Sequence, residues 1–269
     1  MRKSPMINWY WILFLGLTIS CGNQNMENKN KPASSNKGKD TIAAEVLAVP
    51  LDFLMGKFDP TKHSGFGEIP EEYADRPGLY LRKEALDAFI RMSDAARKEN
   101  IQLQIRSATR NFDYQKRIWE AKWKGETTLS DGTNVAKDLT EPQDKALKIL
   151  LYSSMPGTSR HHWGTDLDLN SFNNKWFEKG DGLVLYNWLQ DNAATFGFCQ
   201  PYTPLGTQRP TGYQEEKWHW SYVPLSRTYT AAAEIKLKDE MITGFAGAET
   251  ASSIQVVNNY VLGINKKCK

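Results

Sequence analysis

The sequence predicts an α+β fold, in which a small mixed or antiparallel sheet has helices on its flanks. Apolar residues recur at helical spacing over residues 81–99, and strict alternation of apolar and polar residues follows over 101–105. Short strand-like segments then interleave irregularly with helical ones, whereas a doubly wound parallel sheet requires regular alternation. The 269 residues, 40% of them hydrophobic, suffice for one substantial core with appended segments.

The first residues have the layout of a secretory signal. A basic start is followed by the apolar run 9–17 and then by small and polar residues up to Cys21. The run is shorter than the roughly 20 residues that a membrane span needs. Residues 17–21 resemble the lipobox of bacterial lipoproteins. We therefore expect a signal peptide over 1–20 and lipidation of Cys21, with a plain cleaved signal and an uncleaved anchor as the alternatives.

The composition changes after the signal peptide. Residues 21–40 are rich in Asn, Lys and Ser and poor in apolar side chains, so we expect a disordered tether. A lead-in segment, 41–80, is expected to pack on the main domain, 81–269, which includes a C-terminal extension. Loss of Arg2 and Lys3 with the signal lowers the formal net charge from +3 to +1. A near-neutral protein without a basic block gives no reason to expect nucleic acid as a partner.

The periodic segments predict the elements of the main domain in order. Residues 81–99 form an amphipathic helix, 101–105 a half-buried strand, and a polar turn leads into a helix from about Phe112. Residues 125–141 are polar and cross the surface, and a loop of this length beside a site is often a lid or a specificity element. The later elements are a helix over 142–152, strands over 165–169 and 217–223, helices over 183–196 and 226–242, and a final helix or strand over 251–264.

Two cysteines remain once Cys21 is assigned to lipid. Cys199 and Cys268 can pair in an oxidising compartment. We predict a disulfide between them that holds the C-terminus, and two separate thiols are the alternative.

Three of the four histidines lie in two segments that are rich in acids, aromatic residues and glycine. His161 stands in Ser-Arg-His-His-Trp-Gly-Thr-Asp-Leu-Asp, and His219 follows Glu216-Lys-Trp. Catalytic zinc takes three protein ligands, leaves a position for water and needs a carboxylate that accepts the proton of that water. Two His, one Asp and one Glu supply such a set, and the sequence therefore indicates a metal site.

The spacing leaves part of this site open. Asp166 and Asp168 lie on the same face of an ideal strand, so spacing alone does not decide which of them is a ligand. Gly164 allows the backbone to turn between the His161 loop and this strand. Glu216 and His219 fall on opposite faces of an ideal strand, so we expect Glu216 in a turn or bulge before the strand proper.

Three motifs carry a resemblance to a known family. The stretch Ser159-x-His161-x-x-Gly164-x-x-x-Asp168, followed by Glu216-x-Trp218-His219, resembles the VanY-type zinc D-alanyl-D-alanine carboxypeptidases and the related LD-carboxypeptidases. Upstream, Ser107-Ala-Thr-Arg110-Asn with the later Gln115 is similar to the Ser-Gly-Tyr-Arg-Ser segment of that family and its following Gln. The resemblance covers roughly residues 81–224.

The resemblance implies a role for each matched residue. One zinc ion would be bound in a cleft on the sheet, and Glu216 would act as the general base. Arg110 would face the substrate carboxylate or the developing oxyanion, while Ser159 and Gln115 would help to position substrate. The zinc ligands would be His161, Asp168 and His219. The chain departs from the family at Asp166, where a small apolar residue is usual, and at Lys217, which replaces a common Pro.

The function implied by this resemblance is an exported, monomeric metallocarboxypeptidase of the bacterial cell wall. It would remove a terminal D-alanine from peptidoglycan stem peptides by zinc-hydroxide attack, at a D-Ala-D-Ala bond or at an L-residue-D-Ala bond. The alternatives are an endopeptidase that cuts wall cross-links and a non-catalytic wall-binding lipoprotein. A lipid on Cys21 would anchor the protein to a bacterial membrane in the periplasm or at the cell surface.

Overall fold

The computed structural model of the protein describes residues 43–269. The predicted signal peptide, the tether and the lipidation site Cys21 lie outside the described residues. Within 43–269, no helix has both the length and the apolar character needed to cross a membrane.

The helices and strands are short, and 3₁₀ turns connect many of them. After a helical stretch over 43–48, the α-helices are α1 (Leu51–Leu54), α2 (Lys83–Lys98), α3 (Phe112–Trp123), α4 (Val135–Asp138), α5 (Pro142–Ile149), α6 (Gly180–Asn192), α7 (Val223–Lys236) and α8 (Ala251–Ile254). The strands are β1 (Phe66–Glu68), β2 (Tyr80–Arg82), β3 (Ile105–Ser107), β4 (Asp166–Leu169), β5 (Phe198–Cys199) and β6 (His219–Tyr222).

A four-stranded sheet forms the centre of the domain. Its strand order is β3-β4-β6-β5, and every neighbouring pair is antiparallel. In the register of β4 and β6, Asp168 lies opposite His219 and Asp166 lies opposite Ser221. The predicted α+β class is confirmed, and of the two sheet types left open by the sequence the antiparallel one is present.

Helix α2 covers the apolar side of this sheet. Its buried residues Ala85, Leu86, Phe89, Met92 and Ala96 recur every three or four positions, so one face of the helix is apolar. This face joins a buried cluster with side chains of the sheet region, including Leu103, Ile105, Leu167 and Leu169. Burial of that face explains why the periodicity of 81–99 predicted the helix to within two residues.

The strand predicted over 101–105 was wrong in position. Residues 101–104 are irregular, and β3 begins only at Ile105, where its ladder with Leu169 of β4 starts. Asn170 ends that ladder because its backbone has a positive φ of 57° and its side-chain oxygen accepts the amide of Gln104 at 3.2 Å. The alternation over 101–105 therefore indicated a half-buried strand at the edge of the sheet. It did not show where the partner strand β4 ends, and so it did not fix the start of β3.

Other boundaries shift for local reasons. Helix α3 begins where predicted, because the side-chain oxygen of Asn111 accepts the amide of Tyr114 at 2.9 Å and caps its first turn. Helix α7 begins at Val223, three residues earlier than predicted, with a proline in its first turn. The final segment is helical, with α8 followed by a π-helical turn over Val257–Val261.

The lead-in segment packs directly on the main domain. The indole nitrogen of Trp163 donates to the carbonyl of Leu54 at 3.1 Å, and the amide of Phe112 donates to Gly56 at 2.8 Å. At the other end of the chain, Cys199 of β5 and Cys268 form a disulfide with their Cα atoms 5.8 Å apart. The C-terminal segment is thereby held against the edge of the central sheet.

Candidate active site

Three potential metal ligands converge on the sheet. His161 lies in the 3₁₀ turn Arg160–Trp163 that precedes β4, while Asp168 and His219 face each other across the β4–β6 ladder. One donor atom from each of the three lies within 4.8 Å of the others, and all three residues are buried. The sequence prediction of these three residues as neighbours agrees with this geometry.

Gly164 makes this convergence possible. It has a positive φ of 70°, and a Cβ atom at this position would lie 2.3 Å from the ring of Phe66. Only glycine adopts this turn without both backbone strain and a steric clash. The turn reverses the chain between His161 and β4, as the sequence indicated.

The imidazole of His161 is held in one orientation. Its Nδ1 donates to the carbonyl of Ala108 at 2.8 Å, so Nε2 points toward the site and lies 3.3 Å from Oδ2 of Asp168. Burial and the nearby charge of Arg110 lower the pKa of His161. The ring is therefore neutral near pH 7 and can offer its Nε2 lone pair to a metal.

His219 is surrounded by carboxylates. Its Nε2 lies 2.9 Å from Oδ2 of Asp166, and its Nδ1 lies 3.1 Å from Oε2 of Glu216 and 3.3 Å from Oδ1 of Asp168. Burial alone would lower the pKa of His219, but these carboxylates outweigh it and raise the pKa to about 9. The pocket thus favours a positive charge at Nδ1, and a bound divalent cation can take the place of that proton.

Asp168 completes a donor set that suits zinc. Its Oδ1 is buried and has no hydrogen-bond partner among the described residues. Burial opposes ionisation, but the two histidines and Arg110 outweigh it and lower the pKa of Asp168 to about 2. Two imidazole nitrogens and one carboxylate oxygen are ligands that catalytic zinc accepts, with one position left for water or substrate.

Asp166 has a different environment from Asp168. It is fully buried and accepts hydrogen bonds from Arg160 at 3.0 Å, Thr165 at 2.7 Å and Ser221 at 2.7 Å. Burial would raise its pKa, but Arg160 and His219 hold the pKa of Asp166 well below its ordinary value. Asp166 therefore orients the His219 ring through a hydrogen bond. The sequence placed Asp166 and Asp168 on one face of the strand but did not predict this role for Asp166.

Glu216 lies in the turn that leads into β6, as expected from the sequence. The amide of His219 donates to the Glu216 carbonyl at 3.2 Å, which folds the Glu216 side chain back toward the metal ligands. Burial raises the pKa of Glu216, and the charge of Asp168 adds to this effect. A carboxylate with a raised pKa beside the metal site is suited to accept and return a proton.

The ligands line one cleft with a volume of about 920 Å³. Arg110 lines this cleft, with Nη1 2.9 Å from Ser107 Oγ and 3.6 Å from Asp168 Oδ2. Gln115 also lines the cleft and donates to the carbonyl of Ser154 at 2.8 Å. Ser159 is buried two residues before His161, and its Oγ has no hydrogen-bond partner among the described residues.

The outer walls of the cleft come from the polar excursion and from aromatic residues. Residues 128–131 of the excursion line it, and Lys148 holds this part through a 2.7 Å ion pair with Asp131. Trp218 lines the cleft with its ring near those of Tyr152 and Phe172. The loop that the sequence marked as a lid or specificity element is thus part of the cleft wall.

His162 faces away from the metal ligands. Its Nδ1 donates to the carbonyl of Arg110 at 2.5 Å, and its Nε2 accepts the amide of Gly157 at 3.0 Å. The ring therefore ties the Arg110 segment to the loop before the 3₁₀ turn. Its contribution is to position Arg110 and His161 rather than to bind metal.

Comparison with known proteins identifies the family. A sequence profile described as "VanY: D-alanyl-D-alanine carboxypeptidase" matches residues 78–225. The chain belongs to this family. The matched region contains the three potential zinc ligands of the VanY-type site together with Glu216 and Arg110.

Two curated proteins are similar to part of this chain. YodJ of Bacillus subtilis (strain 168) is 35% identical over 152 residues, which cover 54% of this chain and 46% of YodJ. A D-alanyl-D-alanine carboxypeptidase of Enterococcus faecalis (strain ATCC 700802 / V583) is 32% identical over 130 residues, which cover 48% of this chain and 43% of that protein. The chain therefore matches less than half of the length of these two relatives.

Solved structures of similar proteins include VanYB and the LD-carboxypeptidase LdcB. VanYB in complex with D-alanine-D-alanine has 26% sequence identity and a TM-score of 0.44, over 58% of this chain and 79% of that chain. The LdcB LD-carboxypeptidase has 24% identity and a TM-score of 0.47, over 77% of this chain and 78% of that chain.

Proposed function

We propose that the protein is a zinc-dependent carboxypeptidase that removes a terminal D-alanine from peptidoglycan stem peptides. One observation carries this proposal: His161, Asp168 and His219 converge within 4.8 Å, and Glu216 lies 3.1 Å from the Nδ1 atom of His219. Membership of the VanY family supports the substrate class. A site that only binds wall fragments has no need for a buried carboxylate beside its metal.

The residues of the site divide the chemistry among them. Zinc, when bound there, polarises the scissile carbonyl and makes a nearby water easier to deprotonate. Glu216 accepts the proton of the attacking water and then delivers it to the leaving amine, a task that its raised pKa favours. Trp218 and the excursion loop limit the access of bulk water to the cleft.

Arg110 stabilises charge at the reacting centre. Its guanidinium is 3.6 Å from Asp168 and is further held by Ser107, so its position is set before substrate binds. A fixed cation beside the scissile carbonyl stabilises the negative charge that grows on the carbonyl oxygen. Of the two roles implied by the resemblance, the oxyanion is the one that this position favours. Gln115 contributes a buried amide oxygen without a hydrogen-bond partner among the described residues.

We also propose that the protein acts outside the cytoplasm as a monomeric lipoprotein attached through Cys21. The signal-like start and the lipobox-like residues 17–21 support this location, and a cell-wall substrate is consistent with it. Metabolic labelling with a palmitate analogue tests the anchor. The wild-type chain should carry the label and a Cys21→Ser variant should lose it.

The enzymatic proposal is tested by mass spectrometry of defined muropeptides. Pentapeptide stems, tetrapeptide stems and cross-linked dimers are incubated with the full chain in detergent, with zinc or with a chelator. We expect a chelator-sensitive loss of one alanine, and the stem that shortens identifies a D-Ala-D-Ala or an L-residue-D-Ala bond. Cleavage of the dimers alone would indicate an endopeptidase, and no cleavage of any substrate would contradict the proposal.

A further inference from the structure

The cations that line the cleft differ in how they are neutralised. Three are paired with carboxylates: Arg110 with Asp168 at 3.6 Å, Arg160 with Asp166 at 3.0 Å, and Lys148 with Asp131 at 2.7 Å. Lys175 is exposed at the rim of the cleft. Lys122 is half-buried and has no ion pair with any carboxylate among residues 43–269.

Lys122 points into the cleft because of its position on α3. Gln115, Ile118 and Lys122 are three and then four positions apart, so they share one face of the helix, and all three line the cleft. The Nζ atom of Lys122 donates to the hydroxyl of Ser153 on the chain that follows α5. A neutral hydroxyl leaves the ammonium group without an ion-pair partner among the described residues.

The surroundings of Lys122 disfavour the charged form of its ammonium group. Burial and the positive charge of Arg110 lower the pKa of Lys122 to about 8, whereas the negative charge of Glu216 acts in the opposite direction. Lys122 is therefore close enough to the reacting centre to be influenced by both groups. An anion that enters the cleft would stabilise the charged form of Lys122, because a partly buried cation is stabilised strongly by a partner of opposite charge.

We propose that Lys122 binds the free C-terminal carboxylate of the peptide that is cut. This inference rests on the proposed function and assigns the carboxylate to Lys122, while Arg110 remains beside the scissile carbonyl. In a carboxypeptidase substrate the free carboxylate belongs to the last residue, which leaves, and the scissile carbonyl belongs to the residue before it. Lys122 would therefore contact the last residue and Arg110 the residue before it. Lys122 then makes the enzyme prefer a free chain end over an internal bond.

The test measures binding separately from turnover. In a zinc-loaded Glu216→Gln background, which retains the ligands, the dissociation constant is measured by calorimetry for a stem pentapeptide as its free acid and as its C-terminal amide. Four chains are compared: the background alone, and the background with Lys122→Met, with Lys122→Arg or with Lys124→Met. Lys124 is the matched control, because it is exposed, lies two residues further on and pairs with Glu120 at 3.4 Å.

The expected result is selective. Lys122→Met should weaken binding of the free acid roughly tenfold or more and leave the amide unchanged, because a charge-assisted hydrogen bond is lost only in the acid. Lys122→Arg should restore most of the preference for the acid, and Lys124→Met should change neither constant. Equal constants for acid and amide in the background, or an unchanged preference in Lys122→Met with native zinc content, would overturn the inference.

A turnover assay with wild-type protein and Lys122→Met, run beside the calorimetry, separates this inference from the proposed function. If wild-type protein cuts no stem peptide but the acid preference depends on Lys122, the proposed activity is wrong and the carboxylate site stands. If wild-type protein releases alanine and Lys122→Met retains the wild-type KM for the free acid, the activity stands and the carboxylate site is wrong.

Discussion

Nε2 of His219 lies 2.9 Å from Oδ2 of Asp166. Because a carboxylate only accepts hydrogen bonds, this contact places the ring proton on Nε2 and leaves the Nδ1 lone pair for a metal. Arg160 supplies the counter-charge for Asp166, and its guanidinium lies over the ring of Trp163 at 4.6 Å. Asp166 thus acts on the metal site through His219, without being a ligand itself.

Replacement of Asp166 should weaken metal binding although Asp166 is not a ligand. We expect Asp166→Asn to lower the zinc affinity by about 10- to 100-fold, the usual effect of losing a partner of a metal-bound histidine. Competition with a chromophoric chelator measures this affinity. Thr165→Val is the matched control, because it removes a hydrogen bond to the other oxygen of Asp166 and leaves the His219 contact in place.

Stability must be followed beside the affinity, because Asp166→Asn also leaves Arg160 without its partner. Thermal melting in the presence of chelator gives the temperature below which each variant is folded, and the zinc titrations are made below it. A folded Asp166→Asn variant with the wild-type zinc affinity would show that Asp166 only supports the fold.

The two histidine ligands, His161 and His219, and the turn position of Glu216 could be predicted because each depends on a few neighbouring residues. The choice between Asp166 and Asp168 could not, since both lie on one face of β4 and only the packing of Arg160 against Asp166 separates them. In the sequence Lys122 resembled any helical surface lysine, because its burial in the cleft depends on residues far away in the chain, such as Ser153.

Secondary structure shows the same division between local and distant causes. Helix α2 could be predicted from its own periodicity. The start of β3 could not, because Asn170 on the partner strand decides where the ladder ends. The role of Ser159 in substrate binding stays a prediction of the resemblance, because its Oγ is buried and has no hydrogen-bond partner among the described residues.

His162 should make the protein less stable in mild acid. Burial lowers the pKa of His162 to about 3, so between pH 3 and the ordinary value of 6.5 the folded state binds fewer protons than the unfolded state. The free energy of unfolding therefore falls as the pH drops through this window, by up to about 1.4 kcal/mol per pH unit. The lowered pKa of His161 acts below pH 6.5 in the same direction, and the raised pKa of Glu216 acts above pH 4.5 in the opposite direction. The contribution of His162 is therefore the difference in slope between wild-type protein and a His162 variant.

A variant without this titration tests the assignment. His162→Gln keeps an amide oxygen that can accept the Gly157 amide, and it should flatten the pH dependence between pH 4 and 6.5. Urea unfolding at several pH values measures the slope for each protein. Parallel slopes for wild-type and variant protein would show that His162 is protonated in the folded state.

The disulfide between Cys199 and Cys268 should contribute substantially to stability. The two cysteines are separated by 69 positions, and a loop of that size corresponds to about 4 kcal/mol in the chain-entropy model. We expect the double variant Cys199→Ser/Cys268→Ser to unfold at a lower urea concentration by a corresponding amount. A reducing agent should shift the wild-type curve and leave that of the variant in place; a wild-type curve that does not respond to reduction would argue against the bond.

The most direct test of the central claim is the zinc content of purified protein compared with its turnover. Elemental analysis after dialysis should find one zinc per chain in wild-type protein and in Glu216→Gln, and markedly less in Asp168→Asn. Release of alanine from stem peptides should fall by about 10²–10⁴-fold in Glu216→Gln, because it keeps the metal and loses the base. Full turnover by Glu216→Gln, or wild-type zinc content in Asp168→Asn, would contradict the assignment of these residues.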